Sequence, residues 1–396
     1  MKHAKPEKVV ITGADSATGL GTARALRGVD AEIIGLYRNR ESRFCKSNLW
    51  DRLVRVDDGG VECYYDSLLS LGKSNQGKAV LFPTQDGVVE LVSNMRDSLH
   101  EYYNFVYPEK DVVDLLMDKT KFHGWATEKH FPVPESYIAT SNSELDAILD
   151  TIQYPVIIKP LYRTAEWDRI SPVHKVFKLN DKNDVDKINF NAFTVTPKLI
   201  VQQWIPGDDS CVLFCLAYYN RNSDELGYYT GKKILQHPIE TGSTAISIGI
   251  DDPFLHDLTA RMFNAVKYKG LGSVEVKVNR SNNTYYITEP TVGRNDLQSN
   301  TALAGGINLT KIAYYDALGR TYPDIFVKKK SAIWIEEYGA LESIIHMFKK
   351  NNIPTNEIIK SLSNNMVFSH FAFHDPSPFI ALCKELLSSM KRKVLR

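Results

Sequence analysis

The sequence predicts an α/β protein: an N-terminal parallel-sheet domain over residues 1–110, a two-part α+β domain over 111–328, and a mostly helical C-terminal extension over 329–396. Three observations carry this expectation. Residues 8–110 alternate short apolar strands with helical segments, the rhythm of βαβ units. From Tyr154 onward, apolar runs follow one another across short polar turns, as antiparallel strands do. From residue 331 the pattern is mostly helical and ends in the basic run Lys391-Arg-Lys-Val-Leu-Arg396. A tail of that kind reads as a solvated terminus.

In the first part, Val9–Thr12 is a short strand, Leu20–Leu26 the helix after it and Ala31–Leu36 a second strand. Leu53–Val56 and Ala79–Phe82 are further strands, Tyr64–Leu71 a helix, and Gly87–Asn104 a helical stretch. The turn Thr12-Gly13-Ala-Asp-Ser-Ala-Thr-Gly19-Leu-Gly21 spaces its glycines differently from the dinucleotide pattern GxGxxG. The second strand ends in Leu36-Tyr37-Arg38, with no acidic residue for a ribose. A glycine-rich turn that lets a helix pack on a strand is therefore favoured over a NAD(P) site with Arg38 toward a 2′-phosphate.

In the second part, a helix starts near Leu115-Leu-Met-Asp118-Lys119 and runs towards His130, where Phe131-Pro-Val-Pro134 stops it. Tyr154-Pro-Val-Ile-Ile-Lys159-Pro160 is a buried strand with a lysine at its end. Lys175–Leu179, Leu199–Ile205 and Cys211–Tyr219 are successive strands, the last two joined by the turn Pro206-Gly-Asp-Asp209. A helix over Asp252–Tyr268 precedes a hairpin whose strands meet at Arg280-Ser-Asn-Asn283. The hairpin strands carry Glu275 and Glu289, and Gly293-Arg294 follows. Two carboxylates brought close by a hairpin repel each other unless a cation sits between them. An oxygen-only pair of this kind suits Mg²⁺, which completes its shell with water and phosphate oxygens. Arginine beside such a pair suits a phosphoryl group or a developing oxyanion. A half-buried hairpin with glutamates in water is the plainer alternative.

The chain has 396 residues, enough for two or three cores, and a formal net charge of +1, which gives no electrostatic reason to expect nucleic acid. No apolar run is long enough to span a membrane. The N-terminus leads into a strand without a signal-peptide pattern, so the cytoplasm is the expected compartment. The five cysteines are scattered without a CxxC pair and read as reduced structural thiols.

The order of Phe82-Pro-Thr-Gln-Asp86, Asp118-Lys119, Pro155-Val-Ile-Ile-Lys159-Pro, Val201-Gln-Gln-Trp-Ile-Pro-Gly207 and Glu275…Glu289 resembles the ATP-grasp superfamily of carboxylate–amine ligases over most of the chain. The N-terminal part resembles that superfamily's pre-ATP-grasp domain, and residues 111–325 its two ATP-clasping subdomains. Glu289-Pro-Thr-Val-Gly-Arg-Asn-Asp296 and His374-Asp-Pro-Ser-Pro378 resemble a branch with peptidoglycan D-aspartate ligases and ligases from surface-polysaccharide gene sets.

The resemblance implies that Lys119 and Lys159 meet the nucleotide phosphates, with Lys175 also on the nucleotide. Adenine would lie along the hinge Gln203-Trp204-Ile205, and Asp208 or, preferentially, Asp209 would accept from the ribose. Glu275 and Glu289, with Thr291, would hold Mg²⁺, Mn²⁺ being the alternative ion. Arg294 and Lys233 would be catalytic. The implied reaction passes a γ-phosphate to a carboxylate, and an amine then displaces it from the acyl phosphate. The intermediate needs shelter from water, and residues 161–175 are the natural lid.

Three departures stand out. The lid stretch lacks glycine and carries Arg163, Arg169 and Lys175 instead. Thr291 stands where an asparagine metal ligand is usual, with Asn295 as a substitute. Gln203 replaces a common glutamate. The implied partners are ATP, a carboxylate and an amine, with an amino acid and a cell-envelope glycan precursor favoured. A nucleotide-binding regulatory protein on the same fold is the alternative. A NAD(P) oxidoreductase leaves the lysines and paired glutamates unexplained.

Overall fold

The computed structural model describes residues 7–75, 77–161, 167, 169, 177–187, 192–322, 332–349 and 365–394. Five parallel strands, β1 (Glu7–Ile11), β2 (Ala31–Tyr37), β3 (Arg52–Arg55), β4 (Ala79–Phe82) and β5 (Tyr103–Asn104), form one sheet in the order β3-β2-β1-β4-β5. Val9 and Ile11 face one apolar cluster and Val10 the other, so this strand is buried on both faces and reads as a continuous apolar run. The expected helix over 87–104 is two helices, Asp86–Asn94 and Arg96–His100, followed by β5. The break falls at Met95, whose backbone leaves the helical region, and the two-residue β5 is too short to carry a strand period.

The glycine turn serves packing. Gly13 has φ +64°, and a Cβ on Gly19 would sit 2.1 Å from the Gly13 carbonyl oxygen. Ser16 caps the helix Ala17–Ala25 by accepting from the Gly19 N–H. Arg38 donates to the Gly60 carbonyl and lies over the Tyr64 ring.

A second sheet holds β6 (Ser136–Ala139), β7 (Val156–Pro160), β8 (Phe177–Leu179) and β9 (Leu199–Gln203) in the antiparallel order β6-β9-β7-β8. Its apolar face (Val156, Ile158, Leu199, Val201) packs with Leu145 and Leu149 of the helix Asn142–Thr151 and with Trp167. The single helix expected towards His130 is two, Lys110–Met117 and Lys119–Glu128. Asp118 interrupts it, capping the second by accepting from the Thr120 and Lys121 N–H groups.

The third sheet is the largest. Strands β10 (Val212–Tyr219), β11 (Glu225–His237), β12 (Ser243–Gly249), β13 (Gly270–Asn279), β14 (Thr284–Val292), β15 (Ala332–Ile335) and β16 (Asn365–Phe368) run in the order β14-β13-β10-β11-β12-β15-β16. Only the last pair is parallel. β15 and β16 come from the stretch expected to be mostly helical. Its helices, Glu337–Lys349 and Ser377–Val394, are present, each preceded by one of the two strands that extend the central sheet. Ala332-Ile-Trp-Ile335 is a short run buried throughout, which periodicity cannot tell from a helical segment. All five cysteines are free thiols. Among the described residues no helix is long and apolar enough to cross a membrane.

The C-terminal segment is fastened to the N-terminal sheet domain by a buried polar cluster. Arg24 donates to the carbonyls of Phe368, Ser369 and His370 and pairs with Asp375 at 3.3 Å. Asp375 also accepts from the Ser47 hydroxyl and the Asn48 N–H. His370 contacts Glu337 through Nδ1 at 2.8 Å, accepts from Arg43 through Nε2 and stacks on Phe44. Removing one member of a buried pair strands the other charge. Asp375→Ala is therefore expected to cost about 3 kcal/mol of stability, read as a lower midpoint in denaturant unfolding.

Candidate active site

One irregularity builds the centre of the site. In β13, Val274, Val276 and Val278 face an apolar cluster, so Ser273, Glu275 and Lys277 occupy the opposite face. Strict alternation along β14 would put Glu289 on the same side as Ile287, which belongs to that cluster. The pairing instead runs Val276↔Ile287 and then Glu275↔Glu289, leaving Thr288 as an extra residue. This bulge turns Glu289 onto the face of Glu275. Thr288 holds it by donating to the Glu275 carbonyl at 3.1 Å. Pro290 fits because β14 is the edge strand.

The paired carboxylates are countered from several elements. Lys233, buried on β11, reaches over β10 to Glu275 at 2.7 Å. Its ammonium also donates to Gln236 Oε1 at 3.1 Å. Gln236 is fixed in turn by Asp209, which accepts from the Gln236 N–H at 2.7 Å, its amide nitrogen at 2.9 Å and the Glu240 N–H at 2.8 Å. Asp209 is 5 % exposed with both oxygens committed, so it does not fit the ribose role expected of it. It instead anchors the chain Asp209–Gln236–Lys233–Glu275.

Lys159, at the end of β7, donates to Gln202 Oε1 at 3.1 Å. Burial and the positive charge of Lys119 lower its pKa from 10.5 to about 8, against the pull of Glu289. Glu289 is open to water yet ringed by protein, as on a cleft floor. Burial, with Glu275 and Asp86, raises its pKa against the opposing pull of Lys119 and Lys159. These mutual effects place Lys119, Lys159, Glu275 and Glu289 around one cleft.

Arg294 follows Gly293, whose φ is +65° and whose missing side chain leaves room for the Tyr107 ring at 2.7 Å from a Cβ position. The guanidinium donates to Asp86 at 2.6 Å and to the Asn295 carbonyl. Burial disfavours its charge, but Asp86, Asp296 and Glu289 together hold its pKa above the ordinary value. Asp86 opens the helix after β4, so the N-terminal sheet domain reaches the cleft through this pair. Thr291 shares the Glu289 face and contacts Asp296 at 3.4 Å, as does Ser273 at 3.0 Å. Asn295 is buried and bonded to Thr22 and Thr310, which takes it away from the metal role considered for it.

At the hinge, the Gln203 N–H donates to the Glu135 carbonyl and the Trp204 N–H to the Pro155 carbonyl. These two donors are therefore spent on the protein. Ile205 is buried. The Trp204 ring lies 4.5 Å from the Lys178 ammonium, from the small sheet, and 4.5 Å from that of Lys277, from the large one. Lys277 is 6 % exposed, and among the described residues its ammonium has no hydrogen-bond partner. Sequence alone assigned no role to it or to Gln236, and Asp86 and Asp296 stood there only as the ends of motifs. The signal for Lys277 was its spacing two residues from Glu275, which puts both on one strand face. Lys175 and Arg163 lie outside the described residues, as does most of the 161–175 stretch.

Among the described residues no three His, Cys, Asp or Glu side chains are grouped closely enough to hold a metal ion by themselves. The paired Glu275 and Glu289, whose mutual repulsion a divalent ion would relieve, fit an ion that takes its other ligands from water and phosphate.

The Lys159 ammonium gives the cleft a pH signature. Its cationic form, the one that attracts an anionic phosphate, is lost as pH rises through about 8. Mg-ADP affinity should therefore fall on the alkaline side of 8 in calorimetric titrations, and Lys159→Arg should remove that fall. The ligand-free protein should move oppositely between about 8 and 10.5, gaining stability because there the unfolded chain binds the extra proton.

The chain is 23 % identical to a D-aspartate ligase of Enterococcus faecium, over 74 % of this chain and 75 % of that protein. Its fold is similar to the crystal structure of N5-carboxyaminoimidazole synthetase from Staphylococcus aureus, with a TM-score of 0.64, 11 % identity, and 89 % and 88 % of the two chains covered. It is also similar to the biotin carboxylase domain of the Hydrogenobacter thermophilus 2-oxoglutarate carboxylase, solved with MgADP and bicarbonate. That match has a TM-score of 0.62, 15 % identity, and covers 82 % and 72 % of the two chains. No family model matches the chain. The chain has the ATP-grasp fold, and over most of its length it resembles the ATP-dependent carboxylate–amine ligases of that superfamily.

Proposed function

We propose that this enzyme is an ATP-dependent ligase that activates a carboxylate as an acyl phosphate and passes it to an amine, forming an amide. The single observation that supports it most is the convergence of Glu275, Glu289, Lys119, Lys159 and Arg294 on one cleft between the two antiparallel sheets. That set offers anionic ligands for a divalent ion and cations for phosphate oxygens. The likeness to a D-aspartate ligase supports an amino acid as the amine. A cell-envelope glycan precursor is the carboxylate partner we favour.

In this reading Lys119 and Lys159 hold the phosphates as point charges while the γ-phosphoryl group passes to the substrate carboxylate. Glu275 and Glu289, aided by Thr291, would hold Mg²⁺, or Mn²⁺ in its place, which would neutralise phosphate charge. Arg294, oriented by Asp86, offers its free N–H groups to the charge that develops as phosphate is transferred and then displaced by the amine. Lys233 keeps Glu275 in place and lies beside the reacting groups. Lys175 belongs to the stretch that would cover the phosphates.

The base end of the cleft has its own expectation. Lys277, buried beside Trp204 without an acceptor, would donate to an acceptor on the base or ribose, with Trp204 as the apolar wall. Lys277→Met should raise KM for ATP about tenfold with kcat unchanged, as lost uniform binding does. The same change should raise the unfolding temperature, because a buried ammonium with no hydrogen-bond acceptor among the described residues is removed.

The reaction is tested by ADP release with Mg-ATP, crossing the amino acids and D-aspartate against uronic acids and small carboxylates. Turnover should require one acid and one amine together, and Glu289→Ala should lower kcat by at least about 10²-fold. ADP release that ignores the amine, or survives Glu289→Ala, would sink the proposal. Nucleotide binding without turnover across the whole panel would favour the regulatory reading.

A further inference from the structure

A cavity of about 390 Å³ lies away from the nucleotide cleft, between the N-terminal sheet domain and the start of β13. Its charge is one-sided: Lys78, Arg96, Arg221 and Lys269 line it together with His100, and Glu109 is the one carboxylate in the lining. Glu109 is shared, accepting from Arg96 at 3.2 Å and from Lys269 at 2.8 Å. Among the described residues, Lys78 and Arg221 are held by backbone carbonyls only, those of His100 and Ala317. Carbonyls orient a cation without cancelling it, so a surplus of positive charge faces this space. His100, stacked on Phe105 at 4.0 Å, registers that surplus. Burial and the charges of Arg96, Lys78 and Arg221 lower its pKa and favour the neutral imidazole.

We propose that this cavity is a binding site for a small polyanion, a phosphorylated or polycarboxylate metabolite, separate from the nucleotide cleft. Cations converging on a concave space concentrate field there, and a multiply charged ligand is what relieves it. The volume is roughly a dozen waters' worth, which fits a small metabolite. Glu275 lies six residue steps beyond Lys269 along β13, about 20 Å at strand rise, so one small molecule cannot occupy both places. The two sites nevertheless share a wall. Tyr107 lines the cavity, is buried, and sets its ring against Gly293, the residue before Arg294. The proposal does not rest on the ligase reading.

The test is thermal unfolding of the full chain without Mg²⁺ or nucleotide, with citrate or inorganic phosphate at 10 mM and sodium chloride at matched ionic strength as control. The parent protein and Lys159→Ala should both rise by about 3 °C, and Lys78→Ser/Arg221→Ser should lose the rise. A response to citrate alone would mark a polycarboxylate ligand, and one to phosphate alone a phosphorylated one. No rise with either anion, an undiminished rise in Lys78→Ser/Arg221→Ser, or a rise abolished by Lys159→Ala would overturn the proposal. Mg-ATP stabilisation of Lys78→Ser/Arg221→Ser, measured in parallel, reports on the nucleotide cleft alone.

Discussion

Two carboxylates set opposite each other on one sheet face are the constraint around which the cleft is organised. Glu275 and Glu289 are paired residues on adjacent strands, where like charges repel at short range. The Thr288 bulge makes the arrangement possible, because it takes Glu289 out of the alternation that would bury it beside Ile287. Such an arrangement persists only if compensating charge is supplied from elsewhere in the fold, and much of the surrounding structure does this.

The compensation is distributed over distant segments. Lys233 arrives from β11, Lys159 from the small sheet and Lys119 from the first position of a helix capped by Asp118. Each cation carries its own cost. Lys159 is disfavoured by burial and by Lys119, and Lys233 needs Gln236 and Asp209 behind it. An anionic ligand with a divalent ion would relieve both kinds of repulsion, among the cations and between the carboxylates. The protein carries this electrostatic tension in advance, so ligand binding need not create it.

Three parts of the chain meet at the site. Trp204 sits between a lysine of the small sheet and one of the large sheet, joining the two walls of the cleft. Asp86 brings the N-terminal sheet domain to Arg294, and Tyr107 packs where Gly293 leaves space. At the far end, Arg24 and Asp375 tie the C-terminal segment to that same N-terminal domain. The last strands of the central sheet are therefore tethered at both ends, through β12 in the sheet and through this clamp.

The sequence by itself determined the parallel N-terminal sheet, the succession of antiparallel strands and the Glu275–Glu289 hairpin. Their signals are local: apolar runs, period-two alternation and polar turns act over a few residues. Motif order alone was enough to resemble the ATP-grasp ligases. Tertiary structure decided what depends on register and on distant partners. The bulge at Thr288 is one extra residue that no periodicity announces. Asp209 looked like a ligand beside a turn and became an anchor, because residues 236–240 close over it. Asn295 faces Thr22 instead of the paired glutamates. β15 and β16 are too short to show a period, and they became strands because the edge of β12 offered β15 a ladder and β15 in turn offered one to β16.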